Sequence, residues 1–175
     1  MTTYKNNALP AVLLMIVLAA FSRLIPHYPN FTAIGALALF SGAYINRNWL
    51  GYAAPVFALF LSDLVLGLHE GMIVVYAATL LIVFLGNTML HNKVRTGSVA
   101  SASVTASVSF FIITNFGVWA SGYLYPRDVT GLVSCYVAAI PFFHSTLLGD
   151  LFFSGVMFGS YALLSKRFPN LAFEK

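Results

Sequence analysis

Six stretches of this chain are nearly free of charge, and short polar segments separate them. They are Ala8–Ile25, Phe31–Ile45, Trp49–Leu68, Gly71–Leu90, Ser98–Tyr123 and Pro141–Leu164. A helix crossing the hydrocarbon layer of a bilayer needs roughly 20 apolar residues, within a range of about 17–25. The second stretch is short for this and would have to thin the bilayer locally or extend through Asn46. A further apolar stretch, Val129–Ile140, is too brief to cross and runs into Pro141, which cannot donate a helical hydrogen bond. The pattern therefore predicts a short interfacial or re-entrant helix there, ahead of the last span.

Composition removes the soluble classes. The chain has 175 residues, 59% hydrophobic and 8% charged, against about 25% charged in an ordinary globular domain. The expectation is one all-α integral membrane domain over residues 1–175, with no soluble domain. Lys5 precedes the first apolar run as in a signal peptide, but no small-residue cleavage site follows, so the run reads as a retained first helix. The net charge of +4 comes from nine Lys/Arg against five Asp/Glu, too few cations to imply nucleic acid. With six spans and the N-terminus inside, Lys5, Arg47, Lys93, Arg95, Lys166, Arg167 and Lys175 fall on the inner side, and only Arg23 and Arg127 on the outer. That is the positive-inside bias of a multi-pass protein with both termini cytoplasmic.

The few polar residues within the spans gather toward one end. Counted from the inner end of each span, helical rise places Asp63 about 21 Å up, Arg23 about 22 Å, Asp150 about 24 Å and Asn115 about 27 Å. In a core of roughly 30 Å all four lie in the outer third, beneath His27, Asn30, His69, Glu70, Arg127 and Asp128 of the outer loops. A charge at mid-bilayer costs about 2.5–3.5 kcal/mol on insertion scales, so Asp63 and Asp150 face the bundle interior, a wet cavity or a cationic partner such as Arg23. Three readings stay open: a ligand pocket, a structural ion pair, or an ion path. The last needs polar groups at successive depths, which the inner half lacks apart from Asn87. Trp119, Tyr123 and Tyr125 fit an interfacial aromatic belt and could equally wall a planar ligand. The candidate substrate-binding set is Arg23, His27, Asn30, Asp63, His69, Asn115, Trp119, Arg127, His144 and Asp150.

Other chemistry finds little support. The four histidines show no H-x-x-x-H or HExxH spacing, which leaves no expected metal site. The single cysteine, Cys135, excludes an internal disulfide and a multi-cysteine cluster. There is no nucleophile elbow, S-x-x-K or phosphate loop, so no catalytic residue and no cofactor are expected, and the chain does not read as an enzyme. Ser98–Ser109, Ala38-x-x-x-Gly42 and Gly155-x-x-x-Gly159 are small-residue surfaces suited to close helix packing within the bundle.

Two segments resemble known families. Arg23–Ala43, which begins RLIPHYPNFT, resembles the signature of a family of uncharacterised six-span bacterial membrane proteins. Thr130–Asp150, with Gly131-Leu132, Pro141-Phe142 and Gly149-Asp150 in order, is similar to a pattern in the S-components of energy-coupling-factor (ECF) transporters. That resemblance implies a six-helix membrane subunit of a bacterial cytoplasmic membrane that binds a vitamin or similar micronutrient at the outer face. It also implies partners, an ECF-type coupling subunit and ATPases, and passage of the substrate by toppling of the subunit. Two positions depart from the pattern: the first helix has no pair of small residues four apart, and Phe152 stands where a Lys often follows Gly-Asp. The function expected is substrate capture for transport, with the bilayer and a small molecule as partners; the alternative is a structural or assembly subunit with no ligand.

Overall fold

A computed structural model of the chain describes residues 8–26, 28–45, 49–91 and 93–168, with the side chains of residues 8–10 excepted. Six helices account for nearly all of them: α1 (Ala8–Leu24), α2 (Ile34–Tyr44), α3 (Trp49–Leu66), α4 (Met72–Leu90), α5 (Thr96–Ser121) and α6 (Val129–Arg167). No strand occurs among the described residues. Helices α3, α4, α5 and α6 are each long and apolar enough to cross a membrane, which suggests a membrane protein. Leu13, Leu14, Val17, Leu18 and Phe21 are exposed on α1, a surface suited to lipid rather than water.

The second apolar stretch, short for a span by its composition, forms a helix enclosed by protein. α2 is 11 residues long, about 16 Å by helical rise, and it is buried on nearly every side. Its side chains from Ala36 to Gly42 are all enclosed, and it packs on each of the other five helices. A helix apolar all round belongs inside a protein, and here the protein interior, not lipid, surrounds it. Small residues make this possible. A Cβ on Gly42 would meet the Val83 carbonyl and Gly86 Cα, and one on Gly86 would meet the Leu39 carbonyl, so α2 and α4 cross in backbone contact. The rings of Phe40, Tyr44, Phe158 and Tyr161 then pack α2 onto α6, with centroids 4.4–5.8 Å apart.

A separate helix over 129–140 does not form. α6 runs unbroken for 39 residues with Pro141 inside it, about 58 Å of rise. Proline removes one helical hydrogen bond and crowds the carbonyl four residues back, but a neighbouring helix can hold the chain through such a point. Here α5 binds α6 on both sides of the proline. Tyr136 donates to the Ile112 carbonyl at 2.7 Å, and Ser107 donates to Asp150 at 2.6 Å. Pro55 likewise lies inside a continuous helix, α3. The expected packing step at Gly155 and Gly159 is also displaced: an added Cβ at either meets nothing within 4 Å, so these glycines face away from the bundle, whereas Ala38 and Gly42 are interior.

Candidate functional site

The polar hinge between α1 and α2 is a built turn. Pro29 and Asn30 occupy its centre, Asn30 has φ 65°, and the Phe31 N–H closes it on the Tyr28 carbonyl at 3.0 Å. Proline followed by a residue tolerant of positive φ is the sequence of a type II turn. Ser22 ties the hinge to α1, donating to the Ala19 carbonyl at 2.6 Å and accepting from the Ala33 N–H at 3.0 Å. The far side of the hinge lies on α6, where a Cβ on Gly149 would sit 3.2 Å from Phe31 Cα and 3.3 Å from the Thr32 nitrogen. His27 lies outside the described residues.

Arg23 reaches from the end of α1 into α3. Its Nη1 is 2.6 Å from Asp63 Oδ1 and 2.6 Å from Ser62 Oγ. The second Asp63 oxygen accepts from the Tyr76 hydroxyl of α4 at 2.8 Å. Asp63 is 1% exposed, so its charge depends wholly on these partners; removing one member of such a buried pair costs about 3–5 kcal/mol.

Asp150 is equally buried, at 4%, but is served differently. One oxygen accepts from Ser107 Oγ at 2.6 Å. The other lies against the first turn of α2, in the space that a Cβ on Gly35 would fill. Among the described residues no cationic nitrogen comes within 4.0 Å of it. One hydrogen bond to a charged group contributes about 1.5–3 kcal/mol, and the positive end of a helix up to about 2 kcal/mol. Desolvating a carboxylate costs several kcal/mol, so Asp150 is much the less compensated of the two. It also lies deeper than counting along the spans predicts: its partner Ser107 precedes Asn115 on α5 by about 12 Å of helical rise.

Between the hinge, α3, α4, α5 and α6 runs a cavity of about 440 Å³ that extends from exposed Asn30 and His69 to buried Thr79, Ile82 and Asp150. Its volume falls in the range typical of small-molecule sites, about 300–1,000 Å³. Phe110, Phe111, Phe142 and Phe143 form much of its apolar wall, with Phe111 and Phe143 in ring contact at 5.1 Å. Thr79, Thr114, Asn115 and Thr146 give it polar points.

Of the residues predicted for binding, Arg23, Asn30, His69, Asn115 and Asp150 line this cavity. Asp63 stands behind Arg23 and not in the lining. Trp119 and Arg127 close the α5–α6 turn instead. Trp119 Nε1 donates to the Asp128 carbonyl at 3.1 Å and Arg127 Nη2 to the Ser121 carbonyl at 2.9 Å. In the same turn Gly122 caps α5 in the left-handed region at φ 73°, and Asp128 caps α6 by accepting from the Gly131 N–H at 2.7 Å. His144 is exposed on α6, its Nδ1 3.1 Å from the Ile140 carbonyl. Ser62, Tyr76 and Ser107, which hold the two carboxylates, were not among the predicted residues. Their signal was faint: Ser107 stands in a Ser/Ala/Thr run that reads as packing. Among the described residues no group of three His, Cys, Asp or Glu side chains could hold a metal ion.

A family model matches residues 3–171, and its description is Family of unknown function (DUF6580). No curated protein and no solved structure matches the chain.

Proposed function

The chain belongs to DUF6580, and because that family brings no activity with it, we propose from the chain's own geometry that it is a membrane transport subunit that captures a small, vitamin-like molecule. The observation that supports this is the cavity of about 440 Å³ leading from Asn30 and His69 to the buried carboxylate of Asp150. A bundle whose polar residues served only packing would have little use for a space of that size beside an under-compensated charge. In this reading the chain crosses a bacterial cytoplasmic membrane six times, α2 crossing as a short central helix, and both termini are cytoplasmic. The positive-inside bias supports that orientation and turns the cavity mouth outward. An ECF-type coupling subunit with its ATPases is the proposed energising partner, as the Pro141-Phe142 and Gly149-Asp150 pattern implies.

One observation favours a structural subunit instead: Arg23, Asp63 and Tyr76 bind one another and leave that part of the polar cluster saturated. Mass spectrometry of small molecules released from the purified protein separates the two readings. Capture predicts a molecule retained by the wild type and lost from Thr146→Trp, which fills the cavity. No molecule in either sample, with the variant as stable as the wild type, would favour the structural subunit.

A further inference from the structure

We propose that the ligand of this cavity is an organic monocation with a planar apolar body, its ammonium or equivalent N–H donors seated on Asp150. The proposal rests on the capture reading and deepens it. Three observations carry it.

The first is charge. Arg23 and Asp63 cancel, at 2.6 Å, which leaves Asp150 as the formal charge of the lining that lacks a counter-ion among the described residues.

The second is the direction of the hydrogen bonds. Thr79, Thr114 and Thr146 each donate their hydroxyl proton to a carbonyl of their own helix, at 2.7–3.0 Å. Asn115 donates its Nδ2 to the Phe111 carbonyl at 2.7 Å. A carbonyl can only accept, so these protons are committed. What the three threonines can still offer a ligand is lone pairs, and Asn115 keeps its oxygen and one amide proton. Around Asp150 the near hydroxyls, Thr79 and Thr146, are therefore acceptors toward a ligand, which suits a donor-rich cation.

The third is the wall. Phe111 and Phe143, with Phe110 and Phe142 beside them, line the cavity with aromatic surface of the kind that packs against a planar body and attracts a cation.

Binding of three probes of one shape tests this: 2-phenylethylamine, 2-phenylethanol and phenylacetate, titrated calorimetrically into the full chain in lipid nanodiscs. The amine is expected to bind at least tenfold more tightly than the alcohol, about 1.4 kcal/mol, and phenylacetate most weakly. Asp150→Asn should erase the advantage of the amine and leave the alcohol unchanged. The ranking in the wild type needs no variant, and Thr146→Val, which removes an acceptor one turn from Asp150 on α6, should weaken the amine most. An alcohol or carboxylate that binds as tightly as the amine overturns the inference and leaves capture standing. So does failure of all three to bind, since capture is judged separately by the retained molecule. A folded Asp150→Asn protein that keeps the preference for the amine overturns the assignment to Asp150.

Discussion

Gly35 of α2 and Asp150 of α6 compete for one volume: a Cβ on Gly35 would fall on Asp150 Oδ1. The carboxylate can occupy its place because residue 35 has no side chain. Gly35→Ala is expected to destabilise the protein by about 1–3 kcal/mol, the usual cost of overpacking. Asp150→Ala should remove the conflict, so the double variant should be more stable than the sum of the single ones, with a coupling of about 0.5–3 kcal/mol. Thermal unfolding of the four proteins in one detergent measures this. Strict additivity would mean that the two residues do not meet.

The ion pair of α1 and α3 makes an asymmetric prediction. Arg23→Met leaves the buried Asp63 charge without its cation and should cost about 3–5 kcal/mol, whereas Arg23→Met with Asp63→Leu should recover most of that loss. Tyr76→Phe removes one hydrogen bond to the charged Asp63 and should cost about 1.5–3 kcal/mol. Denaturant titration of the purified variants ranks them, and a double variant no better than Arg23→Met would contradict the pairing.

Two glycines in the sequence look alike and should respond in opposite directions. Gly86→Ala places a methyl group on the Leu39 carbonyl, where α2 and α4 touch, and should destabilise by at least about 1–3 kcal/mol. Gly159→Ala meets open space and should stabilise by up to about 1 kcal/mol through helix propensity. Melting temperatures of the two variants decide it, and equal shifts would count against the α2–α4 crossing.

Ser41, Ser103 and Ser154 bury their hydroxyls without a hydrogen-bond partner among the described residues. An unsatisfied buried polar group costs about 1–3 kcal/mol, so Ser103→Ala and Ser154→Ala should leave stability unchanged or raise it. A loss above about 1 kcal/mol in either variant would show that the hydroxyl has a partner such as an ordered water. Unfolding of each variant in detergent gives the sign.

The helices were legible in the chain because hydrocarbon runs bounded by polar residues leave few alternatives: the α3 and α4 expectations end within two residues of the helices found. What α2 does was not legible from hydropathy, which cannot tell a helix facing lipid from one facing protein. Its brevity and its small residues, Gly35, Ala36, Ala38, Ser41 and Gly42, were the available signal. In the sequence Pro141 reads as a break because the proline rule is local, while the bonds that carry α6 past it, Tyr136 to the Ile112 carbonyl and Ser107 to Asp150, join it to α5. The polar cluster was visible as a one-sided excess, but its members divide by contact. Arg23 and Asp63 form a pair, Trp119 and Arg127 tie a turn, and Asp150 stands apart at greater depth. Spacing along single helices cannot show which neighbour a side chain meets.

The crossing of α2 and α4 also limits traffic. Leu37, Leu39 and Phe40 are fully enclosed around it, and backbone touches backbone at Gly42 and Gly86. Among the described residues, the space beside that crossing is filled by side chains and backbone. On the capture reading proposed above, a molecule held beside Asp150 would therefore not pass along the α2–α4 contact, and its release would need either the mouth at Asn30 and His69 or a movement of the whole subunit.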